Sequence, residues 1–367
     1  MPSQQELAPS REYFRGFDGL RGIAVSLVLV GHIVQQNPHL PRKLPNLVAL
    51  PLGSAVGSGV DVFFVLSGFL ITTILLAERG KPAALRVFWV RRFLRIFPPY
   101  YALLVVLLFV YPTDSIKWAA AYLSNYYFVF FGENEPLSPT WSLAVEEHFY
   151  LLWPLVALTQ PAERAKKILI LGVLPFSILS TVVLGLLDVE HLKMLTYKGT
   201  HARCLSLGIG CLIAIVRMQG DDRVYKRTIG GIYGFLLVVL VAAGLADPRF
   251  HPLVTQSRFA LASVTLFLVG LHAPPGSWIM AGLEWRPLTY LGRISYGVYL
   301  YHMPVYFIVA HFSVDLGNSY AIFAALALVK VVATIVVASL SFAFLERPAL
   351  KLKSKWSHSL RQRVAPA

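Results

Sequence analysis

The sequence predicts an all-α membrane protein: a polytopic helical bundle of about ten transmembrane helices with both termini in the cytoplasm. Three observations predict it. Of 367 residues, 56% are hydrophobic and 14% are charged, whereas a soluble domain carries roughly 45–50% apolar and about 25% charged residues. Apolar runs of about 20 residues, long enough to cross a bilayer as helix, recur from one end to the other. The formal net charge is +14, from 33 Lys+Arg against 19 Asp+Glu, and the basic residues fall in short stretches between the apolar runs. Too few charges to solvate a surface and a strong basic excess together exclude a soluble enzyme and a disordered chain.

The polar segment 1–16 reads as a cytoplasmic N-terminus without a cleavable signal peptide, since the first apolar run lacks a small-residue exit. Spanning helices are then expected at 17–36, 59–77, 93–111, 143–159, 168–187, 202–216, 229–246, 257–271, 288–311 and 320–344. Several of them start or finish at Pro, Gly or a charged residue. The stretch 117–131 is aromatic but short and runs into GENEPLSPT, so it is expected to be an outer-face loop or a re-entrant piece. Segment 17–346 forms one transmembrane domain, with a basic cytoplasmic tail at 347–367. No internal repeat is visible and no soluble catalytic domain is appended.

Orientation follows from the positive-inside bias. With the N-terminus inside, 24 of the 33 Lys and Arg lie in cytoplasmic segments, and eight lie outside, including Arg42, Lys43 and Arg203. Lys330 falls within the last span. The basic excess is therefore a membrane protein's inner face, and nucleic acid is not an expected partner. Cys204 and Cys211 are seven residues apart in one apolar segment, about 10.5 Å along a helix, beyond disulfide reach.

Ionisable residues inside spans are costly and mark functional candidates. In the first span, FRGFDGLRGIAVSLVLVGHI, Arg21 and His32 are 11 residues apart, close to three turns, so they share one stripe at a separation of about 16.5 Å. His32 is suited to hold or pass a proton; a core histidine bonded to a neighbouring helix would look the same. Arg91, Arg92 and Arg95, in FWVRRFLRIFPPYY, cluster at the cytoplasmic mouth of the third span. They suit a phosphate-bearing ligand or anionic lipid headgroups. In SPTWSLAVEEHFYLLWP, Glu146, Glu147 and His148 enter a span from outside. Adjacent helical residues point about 100° apart, so one glutamate at most faces the site of His32, where it would stabilise an imidazolium; a solvated outer cap is the plainer reading. Asp61 and Ser67 lie in VGSGVDVFFVLSGFL. Ser67 lacks the glycine of a nucleophile elbow, and small-residue helix packing accounts for it better. Gly208-Ile209-Gly210 follows no strand and is not a dinucleotide fingerprint. His39, His191, His251 and His272 are dispersed, and no metal site is expected.

Read together, these segments resemble the acyltransferase 3 family of integral membrane acyltransferases, which modify glycans, lipopolysaccharides and macrolides. The resemblance covers about residues 13–349. It rests on FDGLRGIAVSLVLVGH (17–32), GVDVFFVLSGFLIT (59–72), RRFLRIFPPYY (91–101), SPTWSLAVEEHFYLLWP (138–154), THARCLSLGIGCLIA (200–214), LGRISYGVYLYHMPV (291–305) and FLERPAL (344–350), occurring in order. It implies a catalytic His32 with Arg21 in the family's Arg–ten residues–His signature. It also implies an acyl-CoA donor, most often acetyl-CoA, held near Arg91, Arg92 and Arg95. The WSL-x-x-E signature falls on Trp141, Ser142, Leu143 and Glu146, followed by Glu147, and Arg203 fills a common arginine position. Asp18, Asp61, Ser67, Trp141, Ser142, Glu147 and Arg203 are the expected substrate-contacting or supporting residues. Ser295, Tyr296, Tyr299 and His302 are read mainly as aromatic packing. The chain resembles the members that lack a C-terminal hydrolase-like domain.

The expected protein is therefore a multi-pass enzyme of the inner cell membrane. It would move an acyl group from cytoplasmic acyl-CoA to a hydroxyl of a surface polysaccharide, lipopolysaccharide or glycolipid, with membrane lipids around it and no permanently bound cofactor. Tailoring of a macrolide or other secondary metabolite is the alternative within the class. A transporter or flippase of an anionic or acylated molecule is the alternative outside it, disfavoured by the absence of repeat symmetry.

Overall fold

A computed structural model describes residues 15–35, 46–132, 135–187, 189–313, 319–352 and 356. The first 14 residues, Arg42, Lys43 and most of the basic tail lie outside the described residues. Among the described residues all regular structure is helical, as the composition requires. The long helices are α1 (Phe17–Gln35), α2 (Asn46–Glu78) and α3 (Ala84–Val110). Two short helices follow, α4 (Ser115–Ala120) and α5 (Ser124–Phe131), then α6 (Thr140–Thr159). Helix α7 (Ala162–Ile168) runs through a π-helical turn at Leu169–Val173 into α8 (Leu174–Leu187). The short α9 (Glu190–Lys193) and α10 (Leu195–Lys198) lead into α11 (Thr200–Met218), α12 (Asp222–Leu245) and α13 (His251–His272). The chain ends its helical course with α14 (Trp278–Leu283), α15 (Arg286–Arg293), α16 (Ser295–His311) and α17 (Tyr320–Ser341).

Eight helical stretches among the described residues are long and apolar enough to cross a membrane. Two of the ten expected spans are not among them. In α6 the run is diluted by Glu146, Glu147 and His148. The expected span at 288–311 is interrupted at Ile294, which leaves α16 with 17 residues. The stretch 117–131 folds as α4 and α5, of six and eight residues, each far too short to span at 1.5 Å per residue. Tyr122 between them takes a left-handed backbone, φ 55°, and its ring stacks on Tyr100 at 4.6 Å.

Helix α2 is the axis of the bundle, with α1 on one side and α11 on the other. Lipid tails are as apolar as leucine, so helices in a membrane associate through close packing and hydrogen bonds rather than hydrophobic burial. The sequence supplies that closeness with glycine. A Cβ at Gly68 would meet the Leu207 carbonyl, and one at Gly210 the Val65 carbonyl, so α2 and α11 touch backbone to backbone. Apolar side chains on α8, α12 and α17 turn outward, among them Leu179, Val238 and Leu328, and form the lipid-facing belt. On the inward face of α17 Lys330 is buried, with its ammonium 5.3 Å from the Tyr306 ring centroid.

Replacement of Gly210 by leucine would force α2 and α11 apart. Overpacking of this kind costs about 1–3 kcal/mol, so G210L should lower the denaturation temperature in detergent. Gly231 on α12 faces open space, and G231A should leave that temperature unchanged or raise it.

Candidate active site

Of the residues singled out above, Arg21, Ser67, Arg92, Arg95, Glu146 and Glu147 are among those lining one cavity of about 300 Å³, walled by α1, α2, α3, α6 and α16. Arg21 from α1 with Arg92 and Arg95 from α3 make its basic end. Arg21 pairs with Asp18 at 3.1 Å, which is itself 3.8 Å from Arg293. The Arg92 guanidinium lies over the rings of Phe88 and Tyr150, 5.7 and 5.4 Å from their centroids. Arg92 and Arg95 sit about two to three turns inside α3, which starts at Ala84 rather than near residue 93. The longer helix separates the expected trio: Arg91, 100° round from Arg92, lies 3.9 Å from Glu78 on α2 and is not a lining residue. Of the expected trio, Arg92 and Arg95 line the cavity, together with Arg21 from α1.

The middle of the cavity is polar on one wall. Ser67 donates to Glu146 Oε1 at 2.6 Å and lies 3.2 Å from the Tyr150 hydroxyl. Glu147 lines the same cavity, and its buried Oε1 has no hydrogen-bond partner. The rest of the α2 lining is apolar, with Val60, Phe63 and Ile71 above and below Ser67. At the far end Ser142 gives its proton to the Pro139 carbonyl and accepts from Tyr299 at 2.5 Å.

Behind Tyr299 are two histidines. His302 Nδ1 is 2.6 Å from the Tyr299 carbonyl, and its Nε2 is 3.1 Å from His32 Nδ1. The rings are 4.9 Å apart between centroids. His302 has no solvent exposure, and His32 is half-buried. Glu146, expected beside His32, bonds to Ser67 on α2, and the imidazole of His302 lies at His32 Nδ1. The reason is helix register. Glu146 is one turn beyond Ser142 on α6, toward the arginine end, whereas His32 is about three turns from Arg21 on α1.

Asp61, Trp141 and Arg203 form a brace outside the cavity lining. Arg203 Nη1 is 3.0 Å from Asp61 Oδ2, with both side chains at most 3% exposed. The guanidinium is clamped by Tyr197 and Trp141, at 4.1 and 5.5 Å from the ring centroids, and its Nε donates to the Tyr197 carbonyl at 2.6 Å. This joins α2, α6 and α11. Tyr299 and His302, expected mainly as aromatic packing, also bond to Ser142 and to His32. The available signal was a second histidine deep in an apolar run, the same signal that marked His32.

Comparison with known proteins agrees with this architecture. Residues 14–343 match the acyltransferase domain model of the acyltransferase 3 family. The chain belongs to this family. A putative peptidoglycan O-acetyltransferase, YrhL of Bacillus subtilis, is 31% identical over 96% of the chain and 57% of its own length. The peptidoglycan O-acetyltransferase OatA of Listeria monocytogenes is 31% identical over 93% of the chain and 56% of its own. The O-acetyltransferase OatA of Staphylococcus aureus is 30% identical over 93% and 58%. This acyltransferase 3 chain thus spans under three fifths of the length of these relatives. No solved structure matches it.

Breaking the Asp61–Arg203 pair strands a buried charge, at a cost of roughly 3–5 kcal/mol. Arg203→Met should lose that much stability in equilibrium denaturation. The double variant Asp61→Leu, Arg203→Met should recover most of it, because well-packed apolar replacements of a buried pair are often neutral.

Proposed function

We propose that the protein transfers an acyl group, in the simplest case acetyl, from cytoplasmic acyl-CoA to a hydroxyl of a surface carbohydrate, with His32 as general base. The observation that carries this reading is the axis of the site: guanidinium groups at one end of a cavity and a hydrogen-bonded imidazole beyond the other. Arg21 and His32 mark the two ends on a single helix, about 16.5 Å apart by helical rise. That separation suits a coenzyme whose phosphates and reactive thioester are joined by a long flexible arm. With the basic end in the cytoplasm, as the positive-inside bias supports, His32 faces the outer half of the membrane, where a glycan would arrive. The named relatives are O-acetyltransferases, two of them with peptidoglycan as the named acceptor, which favours a sugar hydroxyl over a macrolide.

In this mechanism Arg21, Arg92 and Arg95 hold the coenzyme phosphates through charge-assisted hydrogen bonds. The arm runs along the cavity past the apolar α2 residues and the Ser67–Glu146–Tyr150 group. His32 takes the acceptor hydroxyl proton as its oxygen attacks the thioester carbonyl. The C–S bond breaks, and the imidazolium returns the proton to the departing thiolate. General-base assistance of this kind is worth about 10²–10⁴-fold.

Membranes supplied with labelled acetyl-CoA should transfer label to an extractable glycan. His32→Ala should reduce transfer at least about a hundredfold with expression intact; retained transfer in that variant refutes the role of His32. Arg92→Ala and Arg95→Ala should each raise KM for acetyl-CoA by about tenfold or more, the worth of a charged hydrogen bond. Arg91→Ala, turned toward Glu78, should leave KM near the unmodified value.

A further inference from the structure

We propose that His302 is the positioning residue of the site, fixing the tautomer and ring orientation of His32 so that Nε2 is its basic nitrogen. This rests on the reading of His32 as general base. It follows from a chain of hydrogen bonds whose direction is set by the backbone. The Tyr299 carbonyl oxygen can only accept, so the 2.6 Å contact requires a proton on His302 Nδ1. Charge is expensive at a position with 0% exposure, so the ring is neutral and its Nε2 carries a lone pair. A bond across the 3.1 Å to His32 Nδ1 then requires the proton on His32. Neutral His32 is left with its own lone pair at Nε2.

The ring of His302 is held from both sides along α16. The Tyr306 ring meets it edge-on at 5.6 Å and 85°, and the Tyr299 ring lies 5.6 Å away. The Tyr306 hydroxyl donates to the Leu29 carbonyl at 3.3 Å, one turn before His32 on α1. That bond locks the two helices in register at the level of the histidine pair. When His32 accepts a proton at Nε2, its Nδ1–H stays bonded to a neutral acceptor, and nothing else in the pair has to reorganise. Two histidines that merely packed together would satisfy each other with either polarity. Here the Tyr299 carbonyl fixes the polarity.

The test has two arms. In bilayers, ¹⁵N solid-state spectra of the histidine-labelled protein, with His32 assigned by difference from His32→Ala, read the tautomer without any turnover. A protonated Nδ1 and an unprotonated Nε2 on His32 are expected, and the opposite tautomer overturns the proposal. The second arm compares His302→Gln, whose amide oxygen can accept from His32 in place of Nε2, with His302→Phe, which keeps only the shape. His302→Gln should retain kcat within about tenfold, and His302→Phe should lose roughly a hundredfold or more, with KM for acetyl-CoA unchanged in both. Equal kcat in the two variants, or a loss confined to KM, overturns it. Should His302→Phe fail to fold, the spectrum of the unmodified protein decides. Failure of His32→Ala to abolish transfer would remove the base itself while leaving the measured tautomer standing, so the two readings fail separately.

Discussion

A polar side chain inside an apolar bundle has no water to bond with, so a side chain or carbonyl from the protein must answer it. Here those obligatory bonds join the helices around the cavity. Asp61–Arg203 ties α2 to α11, and Ser67–Glu146 ties α2 to α6. Ser142–Tyr299 ties α6 to α16, and His302–His32 ties α16 to α1. The circuit closes where Gly59 on α2 lets the helix rest on the Ala24 carbonyl of α1. Four of these five helices, with α3, wall the cavity, and α11 stands behind them as a strut.

Hydrophobic burial could not have chosen these neighbours. In lipid, one leucine-rich helix face is as good as another, and the outward faces of α8, α12 and α17 show as much. Selection comes from the directional bonds and from glycines that bring backbones into contact. Both are short-range and both fail abruptly if a helix turns by one residue. The Asp18 carbonyl sits where a Cβ on Gly292 would lie, so α15 is pressed against the start of α1 next to Arg21. The basic end of the cavity is thereby fixed as firmly as its histidine end.

This division explains what could be read from the sequence. The helical class, the multi-pass character and the costly residues Arg21, His32 and Glu146 are one-dimensional properties, visible as runs and as exceptions to runs. Partner choice is not. His32 and His302 are 270 residues apart, and nothing local to either says which will meet the other. Glu146 looked like the natural companion of His32 because charge complementarity was the available guide; register on α6 sends it to Ser67 instead. Arg91 and Arg92 are adjacent in a basic cluster and part company because α3 begins nine residues earlier than its apolar run. The break at Ile294 was equally hidden, since the residues on both sides are compatible with one continuous span.

Tyr299 shows how the two ends of the site are made to act as one. Its hydroxyl bonds to Ser142 on the cavity wall, and its carbonyl bonds to His302 behind that wall. The side chain therefore reports the shape of the cavity, and the backbone reports the orientation of the imidazole pair. Those two hydrogen bonds hold the side chain and the backbone of one residue at the same time. In the proposed reaction the donor enters from the arginine end and the base waits beyond the other. A residue that belongs to both is what keeps the thioester's path and the basic nitrogen in a common frame. Positioning of that kind, to within a fraction of an ångström, is what a reaction between two separately delivered substrates demands.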